Sequence, residues 1–211
     1  MSSITAIQVS VDDPNYREIY VDGEHVARVD ASTLALLEFK VGSEWSIDQS
    51  TALNSRHEEQ DARVMAMDLI SRRMWGSKEL RTRLIERGVQ KEIAEQVMSS
   101  LLEDHWLDDG TYALALIQEW TRKEPAGEHL IRKKLLEKQV DREFADQAIA
   151  NYISVNPPIN GAISCINSRI QKAQVPLDDK IKNKIVNAVL RRGFTSEVVH
   201  DALKKVLAEA T

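Results

Sequence analysis

Apolar residues follow two rhythms along this chain, and the change from one to the other predicts a change of structure. Residues 4–11 (ITAIQVSV) alternate apolar and polar, the period of a half-buried strand. Residues 16–30 (YREIYVDGEHVARVD) do the same on both sides of Asp22-Gly23, a pair that suits the tight turn of a hairpin. One helical turn is expected over 32–38 and a further short strand over Val41 to Trp45. Residues 1–45 thus predict a small β-rich N-terminal element. Three short strands are marginal alone, so it needs the helices or a partner to pack on.

From there the rhythm is helical. Ser46-Ile-Asp-Gln49 and Ser55-Arg-His-Glu58 both fit a capping box, in which a hydroxyl and a carboxylate or amide satisfy each other's backbone N–H groups. Either can open a helix that runs to Met74, with a break near Ser55 if the second is used. Its apolar positions are Val64, Met67, Leu69, Ile70 and Met74.

The stretch Gly76 to Leu101 (GSKELRTRLIERGVQKEIAEQVMSSL) predicts two short helices around a glycine stop at Gly88. It returns twice. Shifted by 51 residues, Leu80, Leu84, Ile85, Val89, Ile93, Met98 and Leu101 become Ile131, Leu135, Leu136, Val140, Phe144, Ile149 and Tyr152. Shifted by 105 they become Ile185, Val189, Leu190, Phe194, Val198, Leu203 and Val206. Two charged columns keep register too: Arg87/Lys138/Arg192 and Glu92/Glu143/Glu197. The pattern is a tandem repeat with a period of about 50 residues.

Each repeat reads as three helices: 46–106, 107–154 and 159–211. Leu107 and Asp108-Asp109 open the second, Pro125-Ala-Gly127 breaks it, and Asp141 suits an N-cap for its last helix. Val155-Asn-Pro-Pro-Ile159 is a stiff hinge to the third, which has a break at Val175-Pro176 and a stop at Gly193-Phe194. A unit of this size buries its apolar faces poorly alone, and stacked neighbours bury them better. The fold class is mainly α: a tandem array of three three-helix repeats behind the β-rich element.

Composition removes several functions. Only 5% of the 211 residues are aromatic, which counts against a base-stacking platform. No apolar run approaches the roughly 18 residues of a membrane span, and MSSITAIQVSVDD lacks the marks of a signal peptide. Cys165 is the only cysteine, so no intramolecular disulfide forms and a cytoplasmic site is expected. Histidines 25, 57, 105, 129 and 200 are scattered, and neither a phosphate loop nor a nucleophile elbow occurs. No catalytic residue, metal site or cofactor is expected. Asp104, Asp108 and Asp109 form the tightest carboxylate group, read as helix capping. Trp75, Trp106 and Trp120 flank helix junctions and read as packing residues.

Charge adds a candidate surface. The net charge of −5 is uneven: residues 1–55 carry −6 and residues 153–211 carry +4. Arg87, Lys138 and Arg192 occupy one repeat position, with Arg83 and Lys134 one turn earlier and Ala188 in the third copy. Equivalent positions of a stacked array line one face, and a basic stripe there can meet phosphates or an acidic partner. Each cation also sits at a helix end, where it relieves the helix dipole by about 0.3–1 kcal/mol. Both readings stay open. Lys182, Arg191 and Arg192 make the third repeat the best site for a duplex, although no helix there has Arg, Asn and Gln at base-contact spacing.

SKELRTRLIERGV (77–89) followed by LLEDHWLDDGTYALALI (101–117) resembles the RecX family of bacterial regulatory proteins. The matching features are Ser77, Glu79, Leu80, Leu84 and Gly88, the Leu107-Asp108-Asp109 step, Tyr112-Ala113 and the two later repeats. The likeness covers about residues 56–208. Gln139 stands where the family usually has glycine, and Ala126-Gly127-Glu128-His129 lacks a usual basic residue. The β-rich N-terminus resembles an extension found in some members. The resemblance implies an elongated, curved array without catalysis. It implies binding to the RecA recombinase filament on DNA, lowering RecA's ATPase, strand-exchange and coprotease activities. Single- or double-stranded DNA is a possible second partner, no membrane is involved, and a monomer is expected. Arg83, Arg87, Lys134, Lys138, Lys182, Arg191 and Arg192 are the candidate partner- or DNA-binding residues.

Overall fold

The structure, a computed structural model, describes residues 2–173 and 178–209, so the expected break at Val175-Pro176 lies outside the described residues. The chain divides into two compact units, Met1–Asp68 with Leu84–Ser99, and Leu69–Arg83 with Ser100–Thr211.

In the first unit, β1 (Ile4–Val9), β2 (Tyr16–Val21) and β3 (Glu24–Asp30) form an antiparallel sheet in the order β1-β2-β3. Asp22 and Gly23 make the β2–β3 turn with φ of 49° and 88°, the pair of positive values that a type I′ turn requires. The strand expected over Val41 to Trp45 does not form. A single bridge, Ser3 to Glu44, is all that pairs there. Helix α1 (Ala31–Leu36) starts at Asp30, whose carboxylate accepts from Thr33 N at 2.9 Å. One sheet face buries Ile4, Ile19, Val21 and Val29 in a cluster with Phe39 and with Leu53 of α2 (Ile47–Arg72). The β element is therefore built onto the first helix of the array. Gln60 of α2 adds a 2.8 Å bond to Asp30.

Helix α2 answers the question of which capping box is used. Ser46 N donates to Gln49 Oε1 at 3.1 Å and Gln49 N to Ser46 Oγ at 3.2 Å, so the first box opens the helix. It runs unbroken through Ser55 and stops at Arg72, two residues before Met74. Helices α3 (Ser77–Glu86) and α4 (Lys91–Glu103) complete the first repeat. The second is α5 (Asp109–Thr121), α6 (Glu128–Glu137) and α7 (Arg142–Val155), and the third is α8 (Pro158–Ala173), α9 (Asp179–Leu190) and α10 (Ser196–Glu209). Pro158 takes the first helical position, where its missing N–H costs nothing.

The turn after each middle helix has one geometry. Gly88, Gln139 and Gly193 have φ of +95°, +61° and +86°. Val89 N bonds back to Leu84 O at 3.1 Å and Val140 N to Leu135 O at 3.0 Å, closing the helix end as a left-handed cap does. Gln139 thus keeps the glycine conformation without being glycine. The last helix of each repeat buries a seam at Ala94 and Val97, Ala145 and Ala148, Val199 and Ala202, again 51 and 105 residues apart, of which the apolar pattern marks Val97 but none of the alanines. Phe144, expected inside, is 38% exposed beside it.

Candidate partner-binding positions and the repeat junctions

Within the second unit, middle helices are finished by residues of the following repeat. Asp108 caps its own helix, accepting from Gly110 N at 2.9 Å and Thr111 N at 3.0 Å. These bonds, that of the Thr111 hydroxyl first, hold its carboxyl below the usual range. Asp109 turns away from α5 and accepts from Ser77 N at 2.7 Å and Ser77 Oγ at 2.5 Å, so it caps α3 from the next repeat. Capping is thus what two of the three clustered aspartates do. Gly76 lies against the Tyr112 ring, where a Cβ would come within 2.7 Å. The Tyr112 hydroxyl donates to Glu79 at 2.8 Å, and Arg73 reaches both Glu79 oxygens at 3.2 Å. Burial raises the Glu79 pKa, but Arg73, Tyr112 and Lys138 outweigh it and hold the carboxyl below its usual range. Burial and that carboxylate push the Tyr112 hydroxyl up to about 12.

The next junction is made by backbone. Gly127 N donates to Arg192 O at 2.9 Å and His129 N to Gly193 O at 3.2 Å, so the carbonyl end of α9 receives the amide end of α6. The Arg192 guanidinium donates to Glu124 O at 2.7 Å and to Pro125 O at 2.9 Å. Glu124 also takes Arg169 at 2.8 Å. Chains meet so closely here that a Cβ on Gly127 would lie 2.3 Å from the Gly193 carbonyl.

The seven basic positions therefore have different surroundings. Arg192 is a junction clamp with a side chain only 22% exposed, and Lys138, 47% exposed, sits 3.7 Å from Glu79. Lys134 lies over the Trp120 ring at 5.1 Å, and Lys182 pairs with Asp179 at 3.1 Å. Arg83, Arg87 and Arg191 are exposed. Arg191 and Arg192 are adjacent at one end of α9 and Lys182 lies near the other; Lys134 and Lys138 share the last turns of α6. Arg87 belongs to the first unit, beside Glu58 and Asp61. Asp141 holds the N-cap position of α7 without capping it, and pairs with Lys78 instead.

Trp106 departs from the packing role expected of it. It is 51% exposed and, with Met74 at 48%, edges a cleft of about 420 Å³. Trp75 forms the inner wall, its indole N–H donating to Leu69 O at 2.9 Å and the Arg73 guanidinium lying 3.4 Å from its ring centre. Exposed Trp and Met beside Arg are typical of protein-binding hot spots. Among the described residues no group of three or more His, Cys, Asp and Glu is placed to hold a metal ion. No described helix is long and apolar enough to cross a membrane.

Residues 62–101 match the family model described as RecX, first three-helix domain. The regulatory protein RecX of Chlorobium limicola is 27% identical over 153 residues, covering 71% of this chain and 92% of the relative. That of Clostridium acetobutylicum is 22% identical over 213 residues, 99% of this chain and 98% of the relative. The chain is thus similar to RecX regulatory proteins over most of its length. A crystal structure of a regulatory protein RecX superposes with a TM-score of 0.77 at 20% identity, over 95% of this chain and all of the other. RecX from Lactobacillus salivarius gives 0.66 at 15% identity, over 72% of this chain and 97% of the other. These structures share the helical fold. The RecX model matches the C-terminal part of α2 together with α3 and nearly all of α4, a span that includes the Ser77–Leu80 start that Asp109 caps.

Proposed function

We propose that this chain is a RecX-family member, a non-catalytic cytoplasmic regulator that binds the RecA filament on DNA and lowers its ATPase, strand-exchange and coprotease activities. The observation that carries this reading is the likeness to RecX, whose curated relatives are regulatory proteins and match as much as 99% of the chain. The physical support is modular. Three similar repeats present cations at equivalent helix ends, and several weak contacts along a polymeric partner add up without one deep pocket. Arg83, Arg87, Lys138 and Arg191 are the exposed cations among the candidates from which such contacts are made. The cleft edged by Trp106 and Met74 adds an apolar anchor that a protein partner can fill.

A second reading is a helical-repeat module that binds DNA without RecA. The net charge of +4 over residues 153–211 favours it. One titration separates the two: RecA–single-stranded DNA filaments against naked single-stranded and duplex DNA, with RecA's ATP hydrolysis followed in parallel. Preference for filaments with slowed hydrolysis is expected. Equal affinity for naked DNA, with hydrolysis unchanged, would favour the second.

A further inference from the structure

The junction between the second and third repeats is a template. There the left-handed turn ending α9 offers Arg192 O and Gly193 O to the first amides of α6, at 2.9 and 3.2 Å. Its arginine holds the two carbonyls just before that helix. A Cβ on Gly193 would lie 2.3 Å from Leu130 N, so the receiving turn must be bare. The first repeat carries the same turn. Gly88 N bonds Ile85 O at 2.9 Å, as Gly193 N bonds Leu190 O at 2.8 Å, with φ of +95° against +86°. Arg87 stands where Arg192 does. Yet no described atom lies within 4 Å of a Cβ built on Gly88. The turn opens onto a cavity of about 300 Å³ lined by Glu58, Asp61, Met65, Gln90 and Ile93.

We propose that the Arg87–Gly88 turn receives the first turn of a helix from a partner protein, one that opens on glycine and carries basic residues. Amide donors at a helix start complement the carbonyl end of α3, whose dipole favours positive charge. Glu58 and Asp61 favour the same sign. Glycine is needed because the template joins backbone to backbone, and any side chain at the Gly127 position strikes the receiving turn. A second copy of this chain does not fit. The α3 start is capped by Asp109, the α6 start is held by α9, and the α9 start would bring Asp178 and Asp179 against Glu58 and Asp61. The turn shares Arg87 with the proposed filament contacts, but its backbone acceptors and the Glu58 and Asp61 carboxylates do not depend on whether the basic positions meet RecA or DNA.

The probe is a lactam-stapled peptide of residues 124–137 (EPAGEHLIRKKLLE) carrying Glu124→Lys and Glu128→Lys, which keeps the glycine of the helix start the template receives and makes its first turn basic. Titrated into the ¹⁵N-labelled full chain, it should bind saturably and shift the amides of Val89, Gln90 and Ile93. Charge reversal of the exposed pair, Glu58→Lys with Asp61→Lys, should weaken it about tenfold or more. Leucine at the peptide's glycine should abolish binding with the protein unchanged. Three results would overturn the proposal: no saturable binding, affinity indifferent to both changes, or shifts confined to Arg192–Phe194, which mean displacement of the chain's own α6. Self-association of the chain that the peptide competes would make a second copy the occupant and would also overturn it.

Discussion

Replacing Gly127 by alanine tests whether the repeats are held by backbone contact. Gly127 sits at φ −83°, ψ 166°, which alanine adopts freely, so any effect comes from what the methyl group meets. It meets the Gly193 carbonyl carbon and oxygen and Phe194 N, all at 2.3 Å. Carbon atoms rest at about 3.5–4 Å, so the junction must open by roughly 1.2–1.7 Å. Overpacking of this kind costs about 1–3 kcal/mol. Opening also weakens the bonds from Gly127 N and His129 N, each worth about 1 kcal/mol. We expect a loss of about 3 kcal/mol. In urea the midpoint should fall by roughly 1–3 M, for a slope of about 1–3 kcal/mol per M. Exchange of the His129 amide should quicken. Gly161→Ala is the control, because its methyl would meet only side chains of Pro125 and Phe194, at 3.1–3.3 Å. In a helix interior that change also gains up to about 1 kcal/mol, so it should be near neutral. A Gly127→Ala protein within about 0.5 kcal/mol of wild type would refute the backbone-contact account.

Gln139→Gly should raise the melting temperature, since a side chain at φ +61° costs about 1–2 kcal/mol; an unchanged or lower value in a thermal melt would contradict this. The Glu79 carboxyl has a lowered pKa in the fold, so its contribution is present above its unfolded pKa and is lost as pH falls through the folded one. Glu79→Gln should therefore flatten the acid limb of the stability curve, and an acid limb equal to wild type would rule the network out. Reversing Arg192 to glutamate should destabilise by more than the same change at exposed Arg191, by about 2 kcal/mol, because it strips a clamp from the Glu124 and Pro125 carbonyls; equal midpoints for the two would show that the clamp carries no energy. Trp106→Ala should weaken RecA-filament binding several-fold with little change in melting, given its 51% exposure, and a purely thermal effect would return it to a packing role.

Local rules were readable in the chain where a side chain serves its own neighbours. The Asp22-Gly23 turn, the Ser46–Gln49 box and the Gly88 and Gly193 stops each need only a few consecutive residues. What lay beyond reading were choices made between repeats. Asp108 and Asp109 are the same residue type, one facing its own helix and the other a helix begun 32 residues earlier. Lys138 and Arg192 share a register position, but one meets a carboxylate and the other carbonyls, a difference no periodicity carries. The alanine seam escaped because alanine is a weak hydrophobic signal, although it matters where helices approach closely. Trp106 flanks a helix junction, a place that suggests packing, but its burial is decided by neighbours distant in sequence, and it is 51% exposed.

The way the caps are shared has a consequence for synthesis on the ribosome. The middle helix of the first repeat begins at Ser77, and its cap at Asp109 is translated 32 residues later, a wait of about 2–6 s at 5–20 residues per second. The middle helix of the second repeat waits longer, for the Arg192–Gly193 turn, 65 residues after Gly127. Among the described residues, α9 is the one middle helix that carries its own cap, with Asp178 accepting from Ile181 N at 2.7 Å. Each earlier repeat is thus left open until its successor emerges, and a message cut short between repeats yields a chain with an unfinished helix start at its growing edge. Quality control by proteases would find such fragments there first.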